Sequence, residues 1–427
     1  MRKIILILGF IIICAGGISL YVYKDNINPT YKTTEEKDIY VRFVMEGYDK
    51  VQEFYWEKAD ATSTALYFQG SLQTALNAST TPVLKTKNRL GTAEMFKKAF
   101  DNATSTEARK NLALNTLIVV TYNLQPAGRN ELWSQARETS FREQVANVDP
   151  SKDLYKDLGL EKGANMDEIA VAYEKKSETL KNDSSEEAKA ELEKVSHAKD
   201  VLINPSSKDL YDTANIEPTS THKIIDNTLY LKMDKISPTT LLEFGRTVYS
   251  ATTTPNLDSM IIDLRHNLGG ALDFAQGFLG LFLGGNQYAF DLYHQNDFDV
   301  QRTTQDYFPE IARYKNIILL TDGMTQSTAE VTTAAFKKFK LGTVVGETTR
   351  GWGTVENTYP LKTIIDPDNS YVMLLVNSIT LRDDNQPIQD RGVDPDISIN
   401  DSNWKKELDN KFQSKRLTSL IEKILSE

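Results

Sequence analysis

Three short stretches constrain this chain most: MIIDLR at 260–265, NIILLTDG at 316–323 and GTVVGE at 342–347. Their apolar residues run consecutively instead of alternating, and each stretch ends in charge or glycine. This is the pattern of a buried strand whose end faces a site. Between and around them the period changes. Pro238–Ala251 reads as a helix with Leu241, Leu242, Phe244 and Val248 apolar; Ala271–Leu283 and Ser327–Phe339 also read as helices. Thr228–Met233 is a short alternating strand, and Tyr371–Thr380 closes the series. Strand–helix alternation predicts a layered α/β domain.

The chain has 427 residues, enough for two or three domains. With 40% hydrophobic and 25% charged residues it is neither a disordered chain, a collagen nor a multi-span membrane protein. A formal net charge of −10 argues against nucleic-acid partners, which require clustered Lys and Arg. Cys14 is the sole cysteine, so no intrachain disulfide forms and no zinc site is expected. A histidine base would have to be His197, His222, His266 or His294.

After Arg2 and Lys3, Ile4–Tyr23 runs 20 residues without a charge. At 1.5 Å per residue that reaches about 30 Å, the thickness of a bilayer core. A cleaved signal with a weak site at Ala15-Gly16-Gly17 is the rival reading, but the apolar run continues past it. The expectation is a single-pass anchor in the cytoplasmic membrane, N-terminus in the cytoplasm and body outside.

From Thr33 to Gln144 the sequence reads as helical. Tyr40, Phe43, Val44, Tyr48, Val51 and Phe54 form one face, and Met95, Phe96, Ala99, Phe100, Leu112, Leu114, Leu117 and Val120 a second set, after a break at Asn77–Pro82. From Asp149 to Asp212, DLYKDLGL, NMDEIAVAYEKKSETL, EEAKAELEKVSHAKDVL and NPSSKDLYD follow in order. This segment resembles a J domain, the helical module that stimulates DnaK-type chaperones. Its working His-Pro-Asp tripeptide would fall at Lys181-Asn182-Asp183, where only the Asp remains. The resemblance therefore implies a J scaffold without its trigger, a spacer or docking surface with no DnaK-type partner.

Two junctions carry the chemistry. The strand at Met260–Leu264 runs into Arg265-His266-Asn267-Leu268-Gly269-Gly270, and the strand at Ile317–Leu320 runs through Asp322-Gly323 to a helix that begins near Ser327. Paired glycines free backbone amides for a ligand, and a helix N-terminus favours negative charge. A serine there has the placement of a nucleophile beside an oxyanion hole, although serine is also a common N-cap.

DLRHNLGGAL, TDGMTQSTAEV, VVGETTRGWGTVE and TLRDDNQPIQDRGVDPDISI, in that order, resemble the tail-specific, or C-terminal processing, serine protease family. YDKVQEFYWEKAD resembles that family's first helix. The resemblance implies a hydrolase of peptide bonds, without cofactor or metal, that takes polypeptide substrates and is compatible with a homo-oligomer. It implies Ser327 as nucleophile, with the Thr328 amide and one from the Gly269–Gly270 turn as oxyanion donors. The family's general-base lysine falls at Trp352 and its supporting glutamine at Glu356. Tryptophan cannot accept a proton. His222, Glu356 and Lys362 are the alternative bases. No PDZ-like stretch is present; the J-like segment occupies that interval. Two readings stand: an active peptidase with an unorthodox base, or a catalytically impaired pseudopeptidase that binds peptides or scaffolds.

The expected architecture is multidomain. It comprises a transmembrane helix over 1–24, an all-α region over 25–147, a J-like module over 148–215, a C-terminal α/β domain of ClpP/crotonase-like kind over 220–402, and an amphipathic helix over 403–427.

Overall fold

The computed structural model describes residues 31–77, 82–149, 151–183 and 185–426. The uncharged run Ile4–Tyr23 lies outside them. Among the described residues no helix is long and apolar enough to cross a membrane. The chain forms two compact units. One holds the described chain up to Thr139 with Tyr293–Asp299 and Thr354–Ile379; the other holds Ser140–Leu292, Val300–Gly353 and the described chain from Thr380 on.

The first unit opens with helices α1 (Ile39–Phe54), α2 (Ala61–Leu76), α3 (Arg89–Asp101) and α4 (Thr106–Asn123). Each starts at a polar cap: Asp38, Asp60, Asn88 and Ser105 accept from amides two or three residues on. The expected apolar face of α1 is buried, with Phe43, Val44 and Tyr48 packed against Phe68, Phe96 and Phe100. The structure departs from the all-helical expectation at strand β1 (Glu131–Ser134), which pairs antiparallel with a later strand (Tyr371–Thr380) of the same unit.

Helix α5 (Gln135–Ala146) precedes four helices: α6 (Leu154–Leu158), α7 (Met166–Lys181), α8 (Glu186–Leu202) and α9 (Pro205–Ala214). Asn165 and Glu168 close the start of α7 with a reciprocal capping box. Leu154, Tyr155, Leu158, Ile169, Val195, Ala198, Val201, Leu202 and Tyr211 form one small core. Tyr211 accepts from the Leu154 amide at 3.0 Å and Tyr155 donates to Asp212 at 2.6 Å, so the closing helix is tied to the opening one. Lys181 ends α7 and Asn182 caps it. The Lys181-Asn182-Asp183 slot therefore stands at the turn between the two long helices.

The α/β part follows as β2 (Ser220–Ile225), β3 (Thr228–Met233), α10 (Thr240–Ser250), β4 (Ser259–Asp263), α11 (Asp273–Leu283), β5 (Tyr288–His294), β6 (Asp297–Arg302), β7 (Asn316–Thr321), α12 (Thr328–Lys338) and β8 (Thr343–Gly346). Strands β9 (Thr354–Pro360) and β10 (Tyr371–Thr380) come next, then β11 (Ile397–Ser398), α13 (Trp404–Phe412) and α14 (Lys415–Ser426). Strands β11-β8-β7-β4-β3-β2 form one sheet, parallel except for β2.

The consecutive apolar runs are explained by this sheet, which is covered on both faces. Leu231, Met260, Ile262, Leu319 and Val344 point to the side that carries Phe244, Phe278 and Phe336. Their neighbours Tyr230, Ile261, Ile318, Leu320 and Val345 point to the side covered by Leu408, Leu417, Ile421 and Ile424. Burying each such side chain stabilises the fold by about 1.5–3 kcal/mol before entropy is counted.

Two expectations change. The helix expected over 403–427 is two helices, because Gln413 adopts a left-handed conformation (φ 50°) and Ser414 restarts the chain. The single block expected over 220–402 is divided: β9 and most of β10 belong to the first unit, where Leu361, Ile365, Met373 and Leu375 join the core of α1–α4.

Candidate active site

Strands β4 and β7 are adjacent and parallel, in register at Ile262 with Leu319 and Asp263 with Leu320. Their C-terminal ends therefore emerge side by side, where open parallel sheets ordinarily hold ligands. This brings the two junctions together. The Thr325 hydroxyl donates to the Leu264 carbonyl at 2.8 Å, the Gln326 amide to the Asn267 carbonyl at 2.9 Å, and the Thr328 hydroxyl to the Gly270 carbonyl at 2.8 Å. Asn267, fully buried, stitches the first turn: its Nδ2 donates to the Met233 carbonyl at 2.7 Å and its Oδ1 accepts from the Gly269 amide at 2.8 Å. Asp322 holds the second. Its carboxylate accepts from the Met324, Thr325 and His266 amides, and His266 Nδ1 lies 3.0 Å from Oδ2.

Ser327 immediately precedes α12, as its sequence position predicts, but not in an ordinary cap conformation. Its φ of 57° and ψ of −125° lie where non-glycine residues are strained. Gly269 (φ 83°) lies directly against it. A β-carbon at 269 would stand 2.7 Å from Ser327 Cβ and 2.9 Å from the Thr328 nitrogen. Gly270 is equally constrained, since a β-carbon there would meet the Ile236 carbonyl oxygen at 1.7 Å. Ser327 and the amide that starts α12 thus face a turn stripped of side chains. The Gly269 amide is already bonded to Asn267, so of the two glycine amides Gly270 is the one this bond leaves available.

Glu330, one turn into α12, is fully buried. Its Oε2 accepts from the Ser327 amide at 2.9 Å and the Trp352 amide at 2.8 Å. Its Oε1 accepts from the Thr349 hydroxyl at 2.5 Å and the Gly351 amide at 2.7 Å. Burial pushes the Glu330 pKa up, and the four hydrogen bonds oppose that only in part. Glu330 is a functional residue that the sequence analysis does not single out. The spacing Ser327-x-x-Glu330 is a capping-box signature and could have pointed to it.

The base candidates separate. Trp352, partly buried, sits on the loop held by Glu330. His222 does not fit the site. It lies on the exposed edge strand β2, three strands from β7 in the order β7-β4-β3-β2, or about 14 Å at the usual strand spacing. Its Nδ1 is 3.5 Å from Thr247 Oγ1. Strand order alone removes it, and nothing in the local sequence could have shown that order. Glu356 and Lys362 belong to the first unit. There Glu356 pairs with Val376 and accepts from the Thr354 hydroxyl at 2.6 Å, and the Lys362 amide donates to Glu46 at 2.6 Å. Among the described residues no group of three or more His, Cys, Asp or Glu could hold a metal ion.

Residues 227–399 match peptidase family S41, and residues 153–212 match the DnaJ domain. A "Probable CtpA-like serine protease" of Staphylococcus haemolyticus is 31% identical over 141 residues, 33% of this chain and 27% of that protein. One of the same description from Staphylococcus aureus strain COL is 29% identical over 143 residues, 34% of this chain and 27% of that protein. The match thus spans about a quarter of the length of these relatives. Among solved structures, the photosystem II D1 C-terminal processing protease aligns over 86% of this chain and 94% of its own, at 12% identity and a TM-score of 0.47. The resemblance to peptidase family S41 is thus confined to residues 227–399, and the resemblance to the DnaJ domain to the helices at 153–212 that precede it.

Proposed function

We propose that the α/β domain is a serine peptidase whose nucleophile is Ser327 and whose turnover is limited by Trp352 at the base position. The observation that carries this reading is the contact between Gly269 and Ser327. A strained serine at a helix N-terminus, against a turn that admits no side chain, is an arrangement for attacking a carbonyl and receiving the resulting oxyanion. The Thr328 and Gly270 amides are the donors. Ser327 Oγ would attack a substrate carbonyl carbon, its proton would pass to a base and from there to the leaving amine nitrogen as the C–N bond breaks, and water would then hydrolyse the acyl-enzyme, releasing the carboxylic acid and returning the proton to Ser327 Oγ. Reaction with a fluorophosphonate tests it: Ser327 should become phosphonylated and Ser327→Ala should remove the label. No label at Ser327 over hours at millimolar probe would sink the reading.

The second reading, a peptide-binding pseudopeptidase, is favoured by Trp352 itself, since an indole accepts no proton. It predicts that Ser327→Ala leaves peptide affinity unchanged and that wild-type protein shows no turnover. In either reading the uncharged run behind Arg2 and Lys3 supports a single-pass anchor with the body outside. Protease added to intact cells should then digest the body; full protection would contradict this topology.

A further inference from the structure

We propose that Glu330 is the positioning residue of this site: one ionised carboxylate that sets both the Ser327 elbow and the loop bearing position 352. The inference rests on the reading of Ser327 as nucleophile.

An ionised carboxylate offers about four acceptor directions and no donor. In Glu330 all four are met, two by Ser327 and Trp352 at Oε2 and two by Thr349 and Gly351 at Oε1. A carboxylate so saturated has no lone pair left to take the Ser327 proton, so its work is to hold, not to transfer. What it holds is specific. The bond to the Ser327 amide fixes the residue whose φ of 57° is otherwise strained. The three other bonds gather 349–352, the loop on which the family's base would stand. Two further bonds tie this loop down independently: the Arg350 amide donates to the Thr325 carbonyl at 2.9 Å, and the Val393 amide donates to Thr349 Oγ1 at 2.7 Å. The segment before the nucleophile and the segment of the base thus share one buried charge.

Protonating Glu330 turns one acceptor oxygen into a donor: at Oε2 it would face two amide N–H groups, and at Oε1 the Gly351 N–H and a Thr349 hydroxyl that must turn to accept. Burial already favours the protonated form, so the arrangement holds only while four hydrogen bonds keep the group ionised. Glutamine has the same shape but retains one acceptor oxygen and presents an NH2 to the remaining donors, so Glu330→Gln mimics the neutral state without emptying the space.

The test measures two things on the full chain across pH 4–9: the rate of Ser327 labelling by a fluorophosphonate, and amide exchange in peptides covering 327 and 349–352. Wild type should label with an acid limb. Glu330→Gln should label at least tenfold more slowly, lack that limb, and exchange faster at Ser327 or at Gly351–Trp352, with its far-UV spectrum unchanged. Thr349→Val removes one of the four donors without touching the carboxylate, and should slow labelling less while keeping the limb. A purely structural Glu330 would shift the urea midpoint but not the pH profile of labelling in folded protein. If Glu330→Gln labels at the wild-type rate with the same acid limb, the inference is overturned while the nucleophile reading stands. If wild-type Ser327 never labels although the exchange pattern changes as described, the nucleophile reading fails, Glu330 is a structural tether only, and the inference falls with it.

Discussion

Gly269 and Ser327 occupy space that only one side chain can share: a β-carbon on Gly269 would stand 2.7 Å from that of Ser327. Gly269 also has φ 83°, a conformation that side chains rarely adopt. Gly269→Ala should therefore cost about 1–3 kcal/mol in stability from backbone strain alone. It should also displace the Ser327 elbow. Urea denaturation gives the first number, and labelling of Ser327 in the still-folded variant gives the second. A variant as stable and as reactive as wild type would mean that the turn does not press on the serine.

Restoring the family's base tests whether Trp352 limits turnover. A positioned general base contributes about 10²–10⁴-fold. Trp352→Lys combined with Glu356→Gln should raise cleavage of unfolded or C-terminally tagged polypeptides by an amount in that range. Adding Ser327→Ala should abolish the gain, because nucleophile and base act as a unit. Robust cleavage by wild type that Ser327→Ala removes would instead show that another group already serves as base.

An ion pair that ties helix α8 to the segment after the helices at 153–212 has a titration of definite sign. His197 on α8 bonds to Glu217, which also meets Lys152 Nζ at 3.2 Å. The Glu217 bond raises the His197 pKa above its ordinary 6.5. A raised folded pKa stabilises fully below about 6.5 and is lost as pH climbs through the folded value. Amide protection around Val195 and Ala198 should therefore fall as pH rises from 6 to 9, and His197→Gln should flatten that slope. A slope of the opposite sign would remove the pair from the account.

With Lys181-Asn182-Asp183 in the turn between α7 and α8, the module should not stimulate a DnaK-type ATPase. Single-turnover ATP hydrolysis by such a chaperone should be unchanged when the full chain is added. A clear acceleration would show that the module signals by another surface.

Much of this was legible from local chemistry. The runs 260–265, 316–323 and 342–347 are strands because their apolar residues are consecutive, and that pattern holds only where both faces of a sheet are covered. Gly269-Gly270 and Ser327 could be named as a pair of junctions because turn glycines and helix starts are local signals. The core at Leu154, Ile169, Ala198 and Tyr211 lies in the segment marked by its resemblance to a J domain, not by any local chemistry of its own. The break of the last helix at Gln413 was not legible, since nothing local marks that residue for a left-handed conformation.

By itself, then, the sequence determined the main strands and helices of the parallel sheet and which residues can do chemistry, because both depend on neighbours a few positions apart. Only the tertiary structure decided which of those residues meet. Strand order set His222 three strands away from β7, packing moved β9 and most of β10 to the first unit, and burial made Glu330 the common partner of Ser327 and Trp352. Each of these outcomes depends on contacts between residues distant in the chain, where the free energy of burial and of satisfied hydrogen bonds is decided.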